Sequence, residues 1–156
     1  MSNYKQQEYD FVNRTKEILK QYKQFIEKVP EKDRFECTLL LNCCVGLLVV
    51  PKEEWSNYLP DDLVSEKEWG LKPEHISQIQ GGKKQIKEIV THLRNSVSHY
   101  EFTVIGNSNG DISRVDFKDF NRQGTTTFEA TIPVSNLRVF LDKFSEFMLH
   151  KMKQQQ

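Results

Sequence analysis

The stretch KKQIKEIVTHLRNSVSHYEFTVI, residues 83–105, changes its hydrophobic period part-way along, and that change decides how the chain is built. Turned at about 100° per residue, Ile86, Ile89, Val90, Leu93 and Val97 fall within an arc of about 100°, the seam of an amphipathic helix, with a polar opposite side. Beyond His99 the period drops to two. Phe102 to Ile105 is strand-like, Asn107 to Gly110 is turn chemistry, and Val115 and Phe117 alternate with charged residues. Thr126 to Val134 alternates again through Phe128, Ala130 and Ile132. These segments predict a small antiparallel β meander at about residues 101–134.

Outward from this stretch the chain reads as helical. Phe11, Ile18, Leu19, Tyr22, Phe25 and Ile26 recur at threes and fours between Tyr9 and Lys28, and Pro30 ends that helix. Glu31 to Arg34 is a charged opening for the next. There Leu39, Leu40, Cys43, Cys44, Leu47 and Leu48 surround most of the axis, which predicts a central helix closed by Pro51. Pro60 to Asp62 and Trp69-Gly70 read as loop, and Trp55 and Trp69 as packing for it. A third helical region is expected from Pro73, bent or broken at Gly81-Gly82. Ser135 is placed to cap a last helix carrying Leu137, Phe140, Leu141, Phe144, Phe147 and Met148, with the tail KMKQQQ fraying. The expectation is one mainly α domain over residues 1–156, with the meander inserted before the last helix. There is no internal repeat or linker.

Composition narrows the function by exclusion. Twenty-two basic and 22 acidic residues balance, so the 156-residue chain exerts no long-range pull on nucleic acid or an anionic membrane, and phosphate binding must come from a local cluster. The opening MSNYKQQEYD has no secretory signal, and the apolar run Thr38 to Val50 falls short of a membrane span. Cys37, Cys43 and Cys44 lack CxxC spacing and sit on an apolar helix, which suits reduced thiols. The expectation is a cytoplasmic protein with no membrane association, no cofactor and no structural metal.

One local cluster stands out. With Arg94 at zero on its helix, Ser98 follows at about 40°, Asn95 at about 100° and His99 at about 140°, all on the polar side. Lys83, Lys87 and Thr91 lie near Arg94 in azimuth, completing a narrow basic stripe that can track a phosphate backbone. Arginine offers a planar fork of donors to a phosphate or to a pentacoordinate phosphorane. Histidine takes or gives a proton near neutrality. Asn95 can orient either group or bind a phosphate oxygen. Together they suit attack of a ribose 2′-hydroxyl on its own phosphate, which needs no metal ion, and a two-fold dimer would supply two of each. Read alone, Arg-x4-His also fits a surface ion pair near a helix end.

Other polar groups have plainer readings. His92 lies near His99 in azimuth, either assisting or simply at the surface; His75 and His150 read as structural or solvent-exposed. Glu53-Glu54 and Asp61-Asp62 flank turns, and Asn107 to Asp111 lacks the ligands of a calcium loop.

Residues 93–99, LRNSVSH, resemble the RNxxxH form of the Rx4-6H motif of HEPN domains. Phe35 to Lys52, FECTLLLNCCVGLLVVPK, is similar to the apolar, proline-ended helix of the plasmid-encoded HEPN group pEK499_p136. The resemblance implies an antiparallel helical bundle and a metal-independent endoribonuclease with a composite site at a homodimer interface. Such domains are common in toxins, phage-defence proteins and CRISPR-associated nucleases. By position, Arg94 and His99 match the motif's pair and Asn95 its usual polar residue, while the polar side of the helix, read from the residues, offers Lys83, Lys87 and Ser98 as RNA contacts. The Rx4HxY form of toxins paired with nucleotidyltransferase antitoxins is not matched: Glu101 stands two places after His99, and Tyr100 is adjacent to it. RNA is the implied substrate and an antitoxin or regulatory protein a possible partner. The family also holds members that bind nucleic acid or protein without cutting.

Overall fold

The computed structural model describes residues 6–30, 35–51, 53–64, 69–106 and 112–154. Helix α1 (Gln7–Phe25) runs into a 3-10 turn at Ile26–Lys28 before Pro30. Among the described residues it packs mainly against two other α-helices, so it buries a narrow strip. Val12, Leu19 and Ile26 recur at sevens along that strip. Phe11, Ile18 and Phe25 recur about 100° further round, and of these Ile18 and Phe25 stay exposed. Helix α2 (Glu36–Val49) is the central one, contacting the helices on every side through buried Leu40, Cys43, Cys44, Leu47 and Leu48. The Glu31–Arg34 segment and the side chains of Cys37, Glu53 and Glu54 lie outside the described residues.

Between α2 and the next regular element the chain is pinned by its large side chains. Trp55 Nε1 donates to Glu8 Oε2 at 3.0 Å, and Trp69 is buried against the Phe147 ring at 5.7 Å. Strand β1 (Ile76–Ile79) follows a short 3-10 turn at Pro73–His75. Helix α3 (Ile86–Ser98) comes next, then strands β2 (Phe102–Gly106), β3 (Ile112–Phe120) and β4 (Thr126–Pro133). Helix α4 (Val134–Gln154) leaves β4 directly, so Ser135 sits inside its first turn rather than before it. Buried Met152 holds its last turn down, and the expected fraying does not reach Gln154. The Asn107–Asp111 turn lies outside the described residues.

The expected mainly α architecture is corrected by the sheet. Among the described residues it has four antiparallel strands in the order β1-β4-β3-β2, and the fold is a mixture of four α-helices with that sheet. The strand missed from the sequence is β1, in the segment read as the start of a helix. Ile76 pairs with Ala130 and Ile79 with Phe128, while Gln78 pairs with Glu129, so a bulge absorbs Ser77. The bulge brings Ile76 and Ile79, three apart, onto the same buried side. Three-residue spacing of apolar residues is also the helical signature, hence the misreading.

One face of the sheet carries Val115, Phe117, Phe128, Ala130 and Ile132, all at most 2% exposed. Against them lie Ile86, Ile89 and Leu93 of α3 and Leu137, Phe140 and Leu141 of α4, forming one core. Each of these side chains except that of Ala130 contributes about 1.5–3 kcal/mol by leaving water. The opposite face is polar, with Lys118 paired to Glu129 at 2.8 Å. No helix among the described residues is long and apolar enough to cross a membrane.

Two consequences can be measured. Gly70 has φ +81°, and a Cβ there would stand 2.7 Å from the backbone nitrogen of Phe140 and from Val139 Cβ. Gly81 has the same φ with open space around it. Gly70→Ala should therefore cost about 2–4 kcal/mol of unfolding free energy in urea and Gly81→Ala only about 1 kcal/mol. Burial raises the Cys44 thiol to about 12, reinforced by the neighbouring Cys43, and burial raises Cys43 as well. Both thiols should react with Ellman's reagent at pH 8 only as fast as the protein opens; rapid modification of either in the native state would contradict that burial.

Candidate functional site

The buried seam of α3 dictates what the rest of its surface can do. Arg94 follows Val90 by one turn, at the edge of the seam. It is half-buried at the rim of a shallow apolar notch formed with Leu48, Pro51, Trp55 and Met148. Its stem lies on apolar groups, as long cationic side chains do. Among the described residues no hydrogen bond or ion pair engages its guanidinium.

The far side of α3 is not one open polar face. Asn95 and His92 both turn toward β3 and meet Asp119, whose residue is 7% exposed. Asn95 Nδ2 donates to Asp119 Oδ2 at 3.0 Å, and His92 Nδ1 approaches the same oxygen at 2.7 Å. A carboxylate only accepts, so Nδ1 of His92 carries the proton. The backbone nitrogen of Phe120 donates to Asp119 Oδ1 at 2.9 Å, and the His92 ring stacks on Phe128 at 5.0 Å with 5° between planes. This cluster joins the helix to the sheet. The amide nitrogen of Asn95 is occupied there.

The C-terminal end of α3 is a tight reversal. His99 N donates to the Asn95 carbonyl at 2.9 Å, Tyr100 N to that of Val97 at 3.4 Å, and Glu101 N to that of Ser96 at 2.7 Å. The last two are the paired bonds of a Schellman cap, which requires a left-handed residue, and Tyr100 has φ 60°. Ser98 and His99 are exposed, and no hydrogen bond or ion pair engages the His99 side chain among the described residues. Arg94 and His99 thus differ by about 140° around the helix and roughly 7.5 Å along it. Lys87 is half-buried on α3, whereas exposed Lys83 precedes the first turn, so the basic stripe is shorter than its sequence spacing implied.

The model of the HEPN pEK499 p136 family matches residues 1–155. The chain belongs to that family. No curated protein and no solved structure matches it. HEPN domains are often ribonucleases, and membership points to a nuclease or a nucleic-acid-binding module.

In this HEPN chain the sequence offers Arg94 and His99 as candidates, gives no place to Asp119, and leaves His92 either at the surface or assisting, whereas the structure holds His92 against Asp119. A signal was present. Val115, Phe117 and Asp119 share one parity on a strand, so the carboxylate had to face the core with them. Among the described residues no group of three or more His, Cys, Asp or Glu is disposed to hold a metal ion. A groove of about 280 Å³ lies apart from α3. Its floor is Leu19, Leu39 and Leu40, and Lys16 and Glu146 pair across its rim at 2.9 Å.

The Asp119 cluster predicts coupling. Asp119→Ala should cost about 2–3 kcal/mol, since it strands two half-buried donors, and Asn95→Ala should cost less in that background than in the parent. A double-mutant cycle in urea measures this. Strictly additive costs would mean that the two residues do not act together.

Proposed function

We propose that this HEPN chain is an endoribonuclease that cuts RNA without a metal ion, at a site shared by two copies. The observation that carries the reading is the pair Arg94 and His99. Both are polar groups of one rigid helix, and neither is held by another described side chain. Their angular separation argues for the second copy. A helix facing its two-fold mate supplies a histidine and an arginine from each protomer around one phosphate.

In the mechanism, His99 takes the proton of the ribose 2′-hydroxyl as that oxygen attacks the adjacent phosphorus. Arg94 holds the non-bridging oxygens as their charge grows in the pentacoordinate state. The 5′-oxygen of the next nucleotide leaves and takes a proton from the second histidine. The products are a 2′,3′-cyclic phosphate and a free 5′-hydroxyl. Lys83, Lys87 and Ser98 contact the flanking backbone. Asn95 acts through its hold on Asp119, which sets the rotation of α3. This activity suits a toxin or phage-defence effector in the cytoplasm, restrained by an antitoxin or a regulatory protein.

A second reading, a HEPN dimer that binds nucleic acid or protein without cutting, draws on one observation. The motif's usual polar residue, Asn95, has its amide nitrogen taken by Asp119, which leaves two unengaged motif side chains per chain.

Incubating the protein with mixed RNA in excess EDTA separates the two. Cleavage should proceed and leave cyclic phosphate ends, and a 2′-deoxy nucleotide at the cut site should abolish it. His99→Ala should lose at least a factor of about 100. Arg94→Lys should also be severely impaired, because a point charge cannot reproduce the two-pronged contact. Sedimentation should show a dimer for the parent and both variants. A magnesium requirement, or His99→Ala as active as the parent, would leave the binding module as the better reading.

A further inference from the structure

The cap of α3 places a large side chain where the backbone favours none. The left-handed position of a Schellman cap is usually glycine, because a Cβ is strained there. Here it is Tyr100, at φ 60° and 80% exposed. The fold gains little from the ring. Its contact is an edge-on one with Phe102 at 5.1 Å, and Phe102 in turn leans on Phe117 at 6.3 Å. That chain of rings fixes the orientation of Tyr100 and leaves it open to solvent.

The surroundings are polar. Ser98, His99 and Glu101 are all exposed, so the outer face of the ring stands among polar groups, with half-buried Phe102 behind it. The chain runs from His99 straight into it. Strand β3 overruns the start of β2, since Phe102 pairs with Phe117 and Lys118 N donates to the Glu101 carbonyl. Exposed Phe120 and the Asn121–Thr125 turn therefore stand at the same end of the sheet. The cap needs the left-handed backbone but not a bulky side chain on it, and strain of that kind belongs with function.

We propose that Tyr100 is a base-stacking platform for single-stranded RNA, holding the base of a nucleotide beside the phosphate that His99 and Arg94 engage. The assignment rests on the ribonuclease reading above and deepens it: the substrate is unpaired RNA, whose splayed base has a free face to offer an aromatic ring. The strained cap contributes rigidity. It ties the ring to the end of α3, one residue from the histidine, so that a stacked base sets the distance of its own ribose from His99.

The test uses the whole protein and a short single-stranded oligoribonucleotide made uncleavable by 2′-deoxy substitution, with binding read by fluorescence anisotropy. Tyr100→Gly and Tyr100→Leu should each weaken binding roughly 5- to 100-fold, the loss expected for one stacked base. Tyr100→Trp should retain it. Glycine relieves strain but loosens the unfolded chain, so the Tyr100→Gly melting temperature should stay within about 4 °C of the parent's. Leucine keeps the bulk and the strain and lacks only the aromatic face. Replacing one nucleotide at a time by an abasic one should reveal a position whose penalty is present in the parent and absent in both variants.

Variants that bind as tightly as the parent with the abasic penalty intact would overturn the platform while leaving the ribonuclease reading in place, provided that cleavage persists. Dissociation of the variant dimers with that penalty unchanged would also overturn it, making Tyr100 an interface anchor. A parent protein that neither binds nor cuts RNA would remove both readings together.

Discussion

A carboxylate placed on the core face of a sheet is costly unless donors come to it, and Asp119 is such a group. It stands in line with Val115 and Phe117 on β3, and the strand's alternation allows it no other direction. The donors come from α3 and from its own strand: the ring nitrogen of His92, the amide of Asn95 and the backbone nitrogen of Phe120. An apolar seam alone tolerates some slippage or rotation of a helix over a sheet. Hydrogen bonds from two side chains to one oxygen do not, because their geometry fails within a few tenths of an ångström.

The rest of the arrangement follows from that constraint on rotation. With Asn95 and His92 turned to β3, Arg94 is carried round to the α2 side, over the notch by Pro51 and Trp55. His99 emerges at the cap, and Tyr100 beyond it. The polar side of α3 is divided into a structural part, spent on Asp119, and a part left unengaged. That division separates the two motif side chains within one protomer. A function resting on both requires them to be brought together by a symmetric neighbour or by the substrate itself.

The architecture also bears on what HEPN membership means here. The chain matches its family over nearly its whole length, yet α3 packs against strand β3 as well as against helix α2. The sheet contributes Asp119 and the overrun at the end of β3, so the strands take part in building the motif's surroundings. They are more than an appendage on a bundle. β1 closes the far edge of that sheet, and its two isoleucines complete the core beneath β4.

The chain's residues alone determined a good part of this. Periodicity placed α3 and its seam, the alternation beyond His99 marked β2 to β4, and the Arg94 to His99 spacing pointed to the family. These are local signals, carried by residues a few places apart, and one strand or one turn of helix is enough to express them. β1 was hidden because a bulge gives a strand the spacing of a helix, and only pairing with β4 decides between them. Asp119 was half legible: its parity was in the sequence, but its partners lie 24 and 27 residues away. The exposure of Ile18 and Phe25 depended on how many neighbours α1 has, which no window of sequence records. Tertiary structure alone decided which way α3 is turned. That depends on hydrogen bonds closed to β3 in space, and a helical pattern read along the chain is the same whichever neighbour its polar side meets.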